Sequence, residues 1–334
     1  MKRTSPIMRI AMLAVGLGLL YAGVAEGFVT YNLNVAAARW SNARGSLLQS
    51  DHWGLGGGLE YAVDEAFCPN LIRSFADAPP PSCVQIKQAV QRAFDEWAAG
   101  HPVLRFVEVS ETVEPALEGV GSLGTEEVNA IVAANLRLGA EIDLFALRRD
   151  DGRHLRAPDG VLAYAATYWD ATRPLGTNGR VIVTSRTILN GGTVCGAESC
   201  FYLRRTSRRP GCFSFENVLL HEIGHILGLH HPDELADYNL DSDDDPFNRV
   251  TIDCLNPMKG LKNSKNLDPK SIMNSFVETR DVDARITHDD LAGRDFLYPY
   301  CDAPEGAPDA DGDGVPDADD LCPNFRGRKE ADGC

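Results

Sequence analysis

The segment from His221 to His231, HEIGHILGLHH, constrains the fold of this chain more than any other feature of the sequence. His221 and His225 are four residues apart, so on a helix they project from one face, one turn apart. Gly228 permits the positive φ that ends a helix, and the chain beyond it can bring in a third imidazole. We predict that His231 supplies this third imidazole. His230 is the alternative, because helical periodicity stops at the glycine and cannot distinguish the two neighbours. The fold must therefore place a helix and a chain reversal around one metal ion.

Three imidazoles with a carboxylate beside them indicate a catalytic rather than a structural metal site. Zinc that is held by three protein ligands keeps a fourth position for water, and it lowers the pKa of that water toward about 7. Glu222 directly follows the first ligand, where it can act as general base toward the water and then as acid toward the leaving amine. The spacing therefore predicts Zn²⁺ bound by His221, His225 and His231, with Glu222 as the catalytic base.

The pattern H-E-x-x-H-x-x-G-x-x-H with a later methionine turn resembles the signature of the metzincin zinc endopeptidases. The candidate Met-turn is Ser271–Asn274, and the resemblance implies that Met273 forms a packed floor beneath the metal without binding it. It also implies an α+β fold whose upper part, up to residue 231, contains a twisted mixed sheet and the active-site helix. A lower part, residues 232–300, would carry the Met-turn and the last helix, and a protein or peptide substrate would lie extended in the cleft between the two parts.

Within the metzincins the chain is most similar to the matrixins, over about residues 56–300. The similarity extends to segments that resemble their first helix and second strand, their third strand, the loop after it and their last helix: residues 93–97, 104–106, 141–145, 161–165 and 287–299. Tyr164 stands where matrixins usually have a histidine of a second, structural zinc site, so we do not predict that site. The chain also has no cysteine switch.

Serralysins are the second family that the chain resembles, through the HEIGH segment and the pair His231-Pro232. They have a tyrosine just after the Met-turn and glycine-rich calcium repeats, whereas this chain continues Asn274-Ser275-Phe276 and has no such repeats. Two other functions are also compatible with the sequence. One is a zinc hydrolase of non-protein amides, and the other is a calcium-dependent adhesion or matrix-binding protein whose metal site is a relic, although an intact Glu222 argues against the relic.

Charge and the N-terminal segment restrict the partners and the compartment. The formal net charge of -16 disfavours nucleic acid and anionic membrane surfaces as partners. Lys2, Arg3 and Arg9 precede a short apolar run, which is typical of a signal peptide, and cleavage after Ala25 is predicted; an uncleaved anchor is the alternative. We therefore expect a secreted, periplasmic or extracellular protein without stable membrane insertion. Its predicted segments are a signal peptide (1–25), an N-terminal extension (26–55), the catalytic domain (56–300) and a tail (301–334).

All nine cysteines follow the signal segment, and in an exported chain they indicate disulfide bonds. Cys68 and Cys83 bracket a proline-rich loop and could pair. The loop before the predicted helix of the histidine motif contains three cysteines, Cys195, Cys200 and Cys212. Their pairing stays open, and disulfide formation is favoured over a second zinc site.

Local sequence patterns predict the helices, including the one that carries the histidine motif. Apolar residues at helical spacing predict a helix over about residues 84–99, with Trp97 in the core, a capping box from Ser82 and Gln85, and an end at Gly100. The zinc helix is predicted over about residues 215–228 with Ser214 as N-cap. A short inserted helix is expected at 125–136.

Strands are predicted at residues 59–63, 104–109, 142–146 and 180–185. The last of them matches the matrixin edge strand, which pairs with an extended substrate through main-chain hydrogen bonds. An ordinary buried strand is the alternative for this segment.

The C-terminal tail has the periodicity of a calcium loop. Residues 309–320 read DADGDGVPDADD, and the chain then continues with a Cys-Pro pair and ends in Asp-Gly-Cys, as in a thrombospondin type 3 repeat. Alternating carboxylates with a glycine at the sharp turn are typical Ca²⁺ ligands. The predicted calcium ligands are Asp309, Asp311, Asp313, Asp317 and Asp320. A disordered acidic tail without specific calcium is the alternative.

Overall fold

The computed structural model describes residues 29–30, 38–40, 55, 58–101, 104–110, 140–147, 162–175, 179–190, 200–235, 238–241, 261–263, 268–275 and 286–298. Its strands are β1 Val29–Thr30, β2 Ala38–Arg39, β3 Leu59–Val63, β4 Phe106–Glu108, β5 Ile142–Leu147, β6 Ala163–Leu175, β7 Gly179–Asn190, β8 Cys200–Tyr202, β9 Cys212–Ser214, β10 Leu229–His230, β11 Leu240–Asp241 and β12 Lys262–Asn263. Its α-helices are α1 Phe67–Leu71, α2 Cys83–Ala98, α3 Phe215–Leu227 and α4 His288–Leu297. The predicted signal peptide, the inserted helix at 125–136 and the tail lie outside the described residues.

A mixed sheet forms the main layer of the fold, with the order β4-β3-β5-β7-β6 and with β2 beside the start of β7. Strands β3, β4, β5 and β7 are parallel, and β6 pairs antiparallel with β7. The predicted strand at 180–185 lies within β7, which has neighbours on both sides, so its interpretation as an edge strand is wrong. Sequence periodicity shows that a segment is extended but not where it stands in a sheet. Among the described strands, β6 occupies this edge.

Helix α2 packs its apolar face between the sheet and α3. Its buried residues follow helical spacing: Ile86, Ala89, Val90, Ala93, Phe94 and Trp97. The predicted capping box is confirmed, because the side chains of Ser82 and Gln85 each accept a hydrogen bond from the other's backbone N–H. Trp97 is fully buried and donates its indole N–H to the carbonyl of Leu220 at 2.8 Å. It therefore joins α2 to the helix that carries the histidine motif.

Two disulfide bonds fix segments that lead into the long helices. Cys68–Cys83, the pair named from the sequence, joins α1 to the first residue of α2. Cys200–Cys212 joins the parallel strands β8 and β9, and β9 ends where α3 begins. Cys195, the third cysteine of that loop, lies outside the described residues.

The described residues of the predicted N-terminal extension are built into the same fold. Strand β1 pairs antiparallel with β10, immediately after α3, and β2 pairs with β7. Trp40 is 2% exposed and donates its indole N–H to the carbonyl of Ile226 at 3.0 Å. The side chain of Arg39 donates to the carbonyl of Leu297 at the end of α4. The segment of Arg39 and Trp40 therefore contacts both α3 and α4.

None of the helices that the structure describes combines the length and the apolar character needed to cross a membrane.

Candidate metal centre

Helix α3 brings the first two histidines of the motif into the interior. Ser214 caps its start by accepting a hydrogen bond from the backbone N–H of Asn217, and Gly228 ends it with φ 107°, as the sequence predicts. Nearly every side chain between these two residues is buried, so the helix is embedded rather than exposed along one face. An embedded helix holds its histidines in fixed directions, which is what a metal site requires.

The three histidines predicted as ligands meet at one point. Their Nε2 atoms form a triangle in which each of the three distances is 3.0 Å, and all three residues have 0% exposure. His230, the alternative third residue, is only partly buried, and its Nδ1 accepts a hydrogen bond from the backbone N–H of His231 at 2.7 Å. The structure therefore brings His231, rather than His230, to His221 and His225.

The hydrogen-bond partners of the three outer nitrogens, the Nδ1 atoms, determine the tautomer of each ring and so the state of the inner nitrogens, the Nε2 atoms. The Nδ1 of His221 lies 2.7 Å from the carbonyl of Ile272, and the Nδ1 of His225 lies 2.9 Å from the carbonyl of Leu229. The Nδ1 of His231 lies 3.0 Å from a carboxylate oxygen of Glu234. All three partners are acceptors, so each Nδ1 carries the proton and each Nε2 presents a lone pair.

Three lone pairs directed at each other across 3.0 Å repel and are not hydrogen bonds. A cation between them removes the repulsion, and a triangle of this size has a point that lies about 2.0–2.1 Å from all three corners, as zinc–imidazole bonds require. The donor set therefore fits a metal ion that binds imidazole, which includes zinc, copper, nickel and iron. The three histidines could hold such an ion.

Burial keeps these rings in the neutral form that a metal needs. It lowers the pKa of His221 to about 4, and the hydrogen bond to Ile272 opposes this shift only in part. Burial also lowers the pKa of His225 and of His231 well below the usual value, and the neighbouring histidines lower both further. Protons therefore compete weakly with a metal ion for this site.

Glu222 is fully buried beside the first ligand, and neither of its carboxylate oxygens has a hydrogen-bond partner. Burial raises its pKa to about 8, and the nearby backbone amide of Ala165 lowers it only in part. A buried carboxyl group without partners destabilises a protein, so structure alone gives no reason for its presence. A carboxyl group in this position is available to exchange a proton with a group bound beside the three histidines.

The predicted Met-turn lies directly beneath α3. Met273 is 2% exposed, and a Cβ atom added to Gly224 of the helix would collide with its sulfur. The same Cβ would lie 3.0 Å from the ring of Trp97, so helix, turn and indole are in close contact here. Gly224 is required for this approach, and the turn in return supplies the Ile272 carbonyl that orients His221.

Asp290 of α4 holds the Met-turn in place. Its carboxylate accepts hydrogen bonds from the Ser271 hydroxyl at 2.6 Å and from the backbone N–H groups of Ile272 and Met273 at 3.0 and 3.4 Å. It also accepts from the backbone N–H and the hydroxyl of Thr287, at 2.7 and 2.9 Å. The last helix is therefore joined to the metal centre through the turn.

Asp233 and Glu234, in the turn after the third histidine, were not identified from the sequence. The backbone N–H of Leu235 donates to the carbonyl of His231, which closes this turn. Asp233 accepts hydrogen bonds from the N–H and hydroxyl of Ser275 at 2.7 and 2.6 Å, and so joins the turn to the residue after the Met-turn. An acidic pair that follows the third histidine and Pro232 was the available signal for both contacts.

Strand β1 lies against the segment that carries the third histidine. Val29 lines a small cavity together with Leu229, Met273 and Asp289.

The predicted calcium ligands of the tail, from Asp309 to Asp320, lie outside the described residues.

No family model matches this chain, and no curated protein matches it. A solved structure described as the GM1 bound form of the ECX AB5 holotoxin is similar at 15% sequence identity, over 81% of this chain and 87% of that chain, with a TM-score of 0.32. A similarity at this level carries no argument about fold or function. The candidate centre must therefore be interpreted from its own geometry.

Proposed function

We propose that this protein is an exported zinc endopeptidase of the metzincin type, similar to the matrixins. The observation that carries the proposal is the convergence of three buried, neutral imidazoles with a buried carboxyl group that has no structural partner. The contact between Gly224 and Met273 supports it, because the metzincin resemblance implies such a floor beneath the metal. Zinc is proposed among the metals that bind imidazole because three protein ligands with an open position are typical of catalytic zinc.

A zinc ion bound here would polarise the substrate carbonyl and make a water molecule more acidic. Glu222 takes the proton from the attacking water and delivers it to the nitrogen of the leaving amine. His221, His225 and His231 would hold the ion with their Nε2 atoms, while their Nδ1–H groups stay bonded to acceptors that fix the ring planes.

The sheet edge supports a peptide as the substrate. Strand β6 lies beside α3, and Thr167 of this strand donates a hydrogen bond to the carbonyl of His225 at 3.3 Å. Among the described strands β6 pairs with β7 and stands at the edge of the sheet. An extended peptide that adds to this edge gains main-chain hydrogen bonds and passes the metal centre.

The test compares the purified protein with Glu222→Ala on casein, with and without a zinc chelator, and identifies fragments by mass spectrometry. We expect the unmodified protein to produce peptide fragments that the chelator abolishes. We expect Glu222→Ala to lose at least about 1,000-fold in kcat/KM, because the proton acceptor is gone, while elemental analysis still finds one zinc ion for each chain. Glu216→Ala is the matched control on the same helix, because Glu216 forms an exposed ion pair with Arg92.

Normal turnover by Glu222→Ala would refute the base assignment. Cleavage of small amides or esters without cleavage of casein would favour a hydrolase of non-protein substrates. The absence of chelator-sensitive hydrolysis in a zinc-loaded sample would favour a relic metal site in an adhesion protein.

A further inference from the structure

The three ligand rings differ in the group that holds their outer nitrogen. His221 and His225 donate to backbone carbonyls, which are neutral acceptors that no side-chain substitution removes. His231 donates to the carboxylate of Glu234 at 3.0 Å, which is a charged acceptor from a side chain. The third ligand is therefore the one whose orientation depends directly on the identity of a neighbouring side chain.

The local backbone positions Glu234 for this contact. The chain turns sharply after His231, and the bond from the Leu235 N–H to the His231 carbonyl closes the turn at 3.2 Å. Residues three positions apart in such a turn lie on the same side, so the carboxylate of Glu234 comes back over the imidazole of His231. The neighbouring Asp233 also holds this turn, because its carboxylate accepts hydrogen bonds from the backbone N–H and the hydroxyl of Ser275.

Exposure distinguishes the two members of this pair. The side chain of His231 is 1% exposed, whereas that of Glu234 is 49% exposed. A half-exposed glutamate gains little stability for the fold from a single hydrogen bond to a neutral ring, because water competes for its carboxylate. A carboxylate that accepts the outer N–H of a metal-binding imidazole, however, fixes its tautomer and increases the electron density on its inner nitrogen.

We propose that Glu234 is a positioning residue that holds His231 in the metal-binding orientation and tautomer and thereby strengthens metal binding. This inference rests on the proposed function, because it assumes that the three histidines bind the metal. It goes beyond that function by assigning a part of the metal affinity to a residue outside the ligand set.

The experiment measures zinc affinity by competition with a chromophoric chelator for the unmodified protein, Glu234→Ala and Glu234→Gln. We expect Glu234→Ala to bind zinc about 10–100-fold more weakly, the range found when such outer carboxylates are removed. Glu234→Gln keeps an acceptor oxygen but not the charge, so its affinity should lie between the other two. Because Glu234 is half-exposed, added salt should narrow the gap between the Gln variant and the unmodified protein.

Glu108→Gln is the matched control. Glu108 is an exposed glutamate on β4, at the opposite edge of the sheet from β6, where it pairs with Lys87 at 3.0 Å. The Glu108→Gln substitution removes the same charge without contacting the metal centre. The zinc affinity of this variant should therefore equal that of the unmodified protein. Urea unfolding of each metal-free variant should be nearly unchanged, which separates loss of affinity from loss of fold.

A second readout uses nitrogen chemical shifts of the His231 ring in metal-free protein. We expect the unmodified protein to show a protonated Nδ1 and a free Nε2, and Glu234→Ala to show a mixture of the two tautomers. Equal zinc affinity and equal tautomers in Glu234→Ala and the unmodified protein would overturn the inference while leaving the proposed function intact. If the unmodified protein bound no zinc through its histidines, the proposed function itself would fail.

Discussion

Helix α3 carries one buried carboxyl group and helix α4 holds another beneath the Met-turn, and the two groups have opposite surroundings. Glu222 on the helix is fully buried, and neither of its oxygens accepts a hydrogen bond. Asp290, under the Met-turn, is 2% exposed and accepts hydrogen bonds from Ser271, Ile272, Met273 and Thr287. The same functional group is therefore left without partners in one region and saturated with them in the other.

This difference separates the proposed catalytic group from a group that holds the surrounding structure together. A buried acceptor without partners costs about 1–3 kcal/mol, whereas a fully bonded carboxylate holds together the segments that donate to it. Asp290 fixes the turn whose Ile272 carbonyl orients His221, so the saturated group supports the site that contains the unsatisfied one. Proteins commonly lose stability at reactive groups and retain it in the surrounding structure.

The largest expected effect is the loss of the saturated carboxylate. We expect Asp290→Ala to lower the free energy of unfolding of the metal-free protein by about 3–5 kcal/mol, because five donors, three in the Met-turn and two at Thr287, lose their acceptor. Urea denaturation followed by fluorescence measures this change.

Asp289→Asn is the control for this prediction at the neighbouring position of the same helix. Burial, together with the charges of Asp290, Asp268 and Asp241, raises the pKa of Asp289 to about 8, and one of its oxygens has no partner. Replacing this carboxyl group by an amide should leave the stability unchanged or increase it. A similar loss in both variants would contradict the contrast between a saturated and an unsatisfied group.

A smaller effect is expected where the two regions touch. Gly224→Ala places a methyl group against the sulfur of Met273, with the ring of Trp97 close behind it. We expect a loss of about 2–3 kcal/mol, because overpacking in a close contact forces the backbone or the side chains to move.

Combining Gly224→Ala with Met273→Ala tests the origin of this loss. If the clash with the sulfur causes it, the double variant should be more stable than the sum of the two single changes predicts. Strict additivity would mean that the helix and the turn are not in close contact.

The smallest effect is expected at the unsatisfied group. We expect Glu222→Gln to leave the unfolding free energy of the metal-free protein unchanged or to raise it by about 1 kcal/mol, because the buried carboxyl group contributes no bond that would be lost. Differential scanning calorimetry of the metal-free samples measures this difference. A loss above about 2 kcal/mol would show that Glu222 has a structural role, and the two regions would then be alike.

Sequence reasoning succeeded where the signal is local. The capping box at Ser82 and Gln85, the start of α3 at Ser214 and its end at Gly228 depend on neighbouring residues, and all agree with the structure. The pairing of Cys68 with Cys83 across a short loop is also of this kind. Each feature involves residues within about fifteen positions of one another, for which spacing and turn chemistry are informative.

Features that depend on distant segments were missed. The strand at 180–185 was interpreted either as a substrate-binding edge or as an ordinary buried strand, and only long-range pairing with β2, β5 and β6 places it inside the sheet. The segment around Trp40 was separated from the domain, although its bonds reach Ile226 and Tyr298. Glu234 was overlooked because its role depends on which neighbouring histidine turns inward, which the sequence left open.

The bridge from the early chain to the last helix sets an order for assembly. Arg39 contacts the carbonyl of Leu297 across 258 positions, and contacts of such separation form late because loop closure opposes them. Helix α4 also supplies Asp290, so His221 gains its well-held carbonyl partner only after the C-terminal helix has docked. A chain that is still leaving the ribosome therefore carries an unfinished pocket until synthesis has passed residue 297.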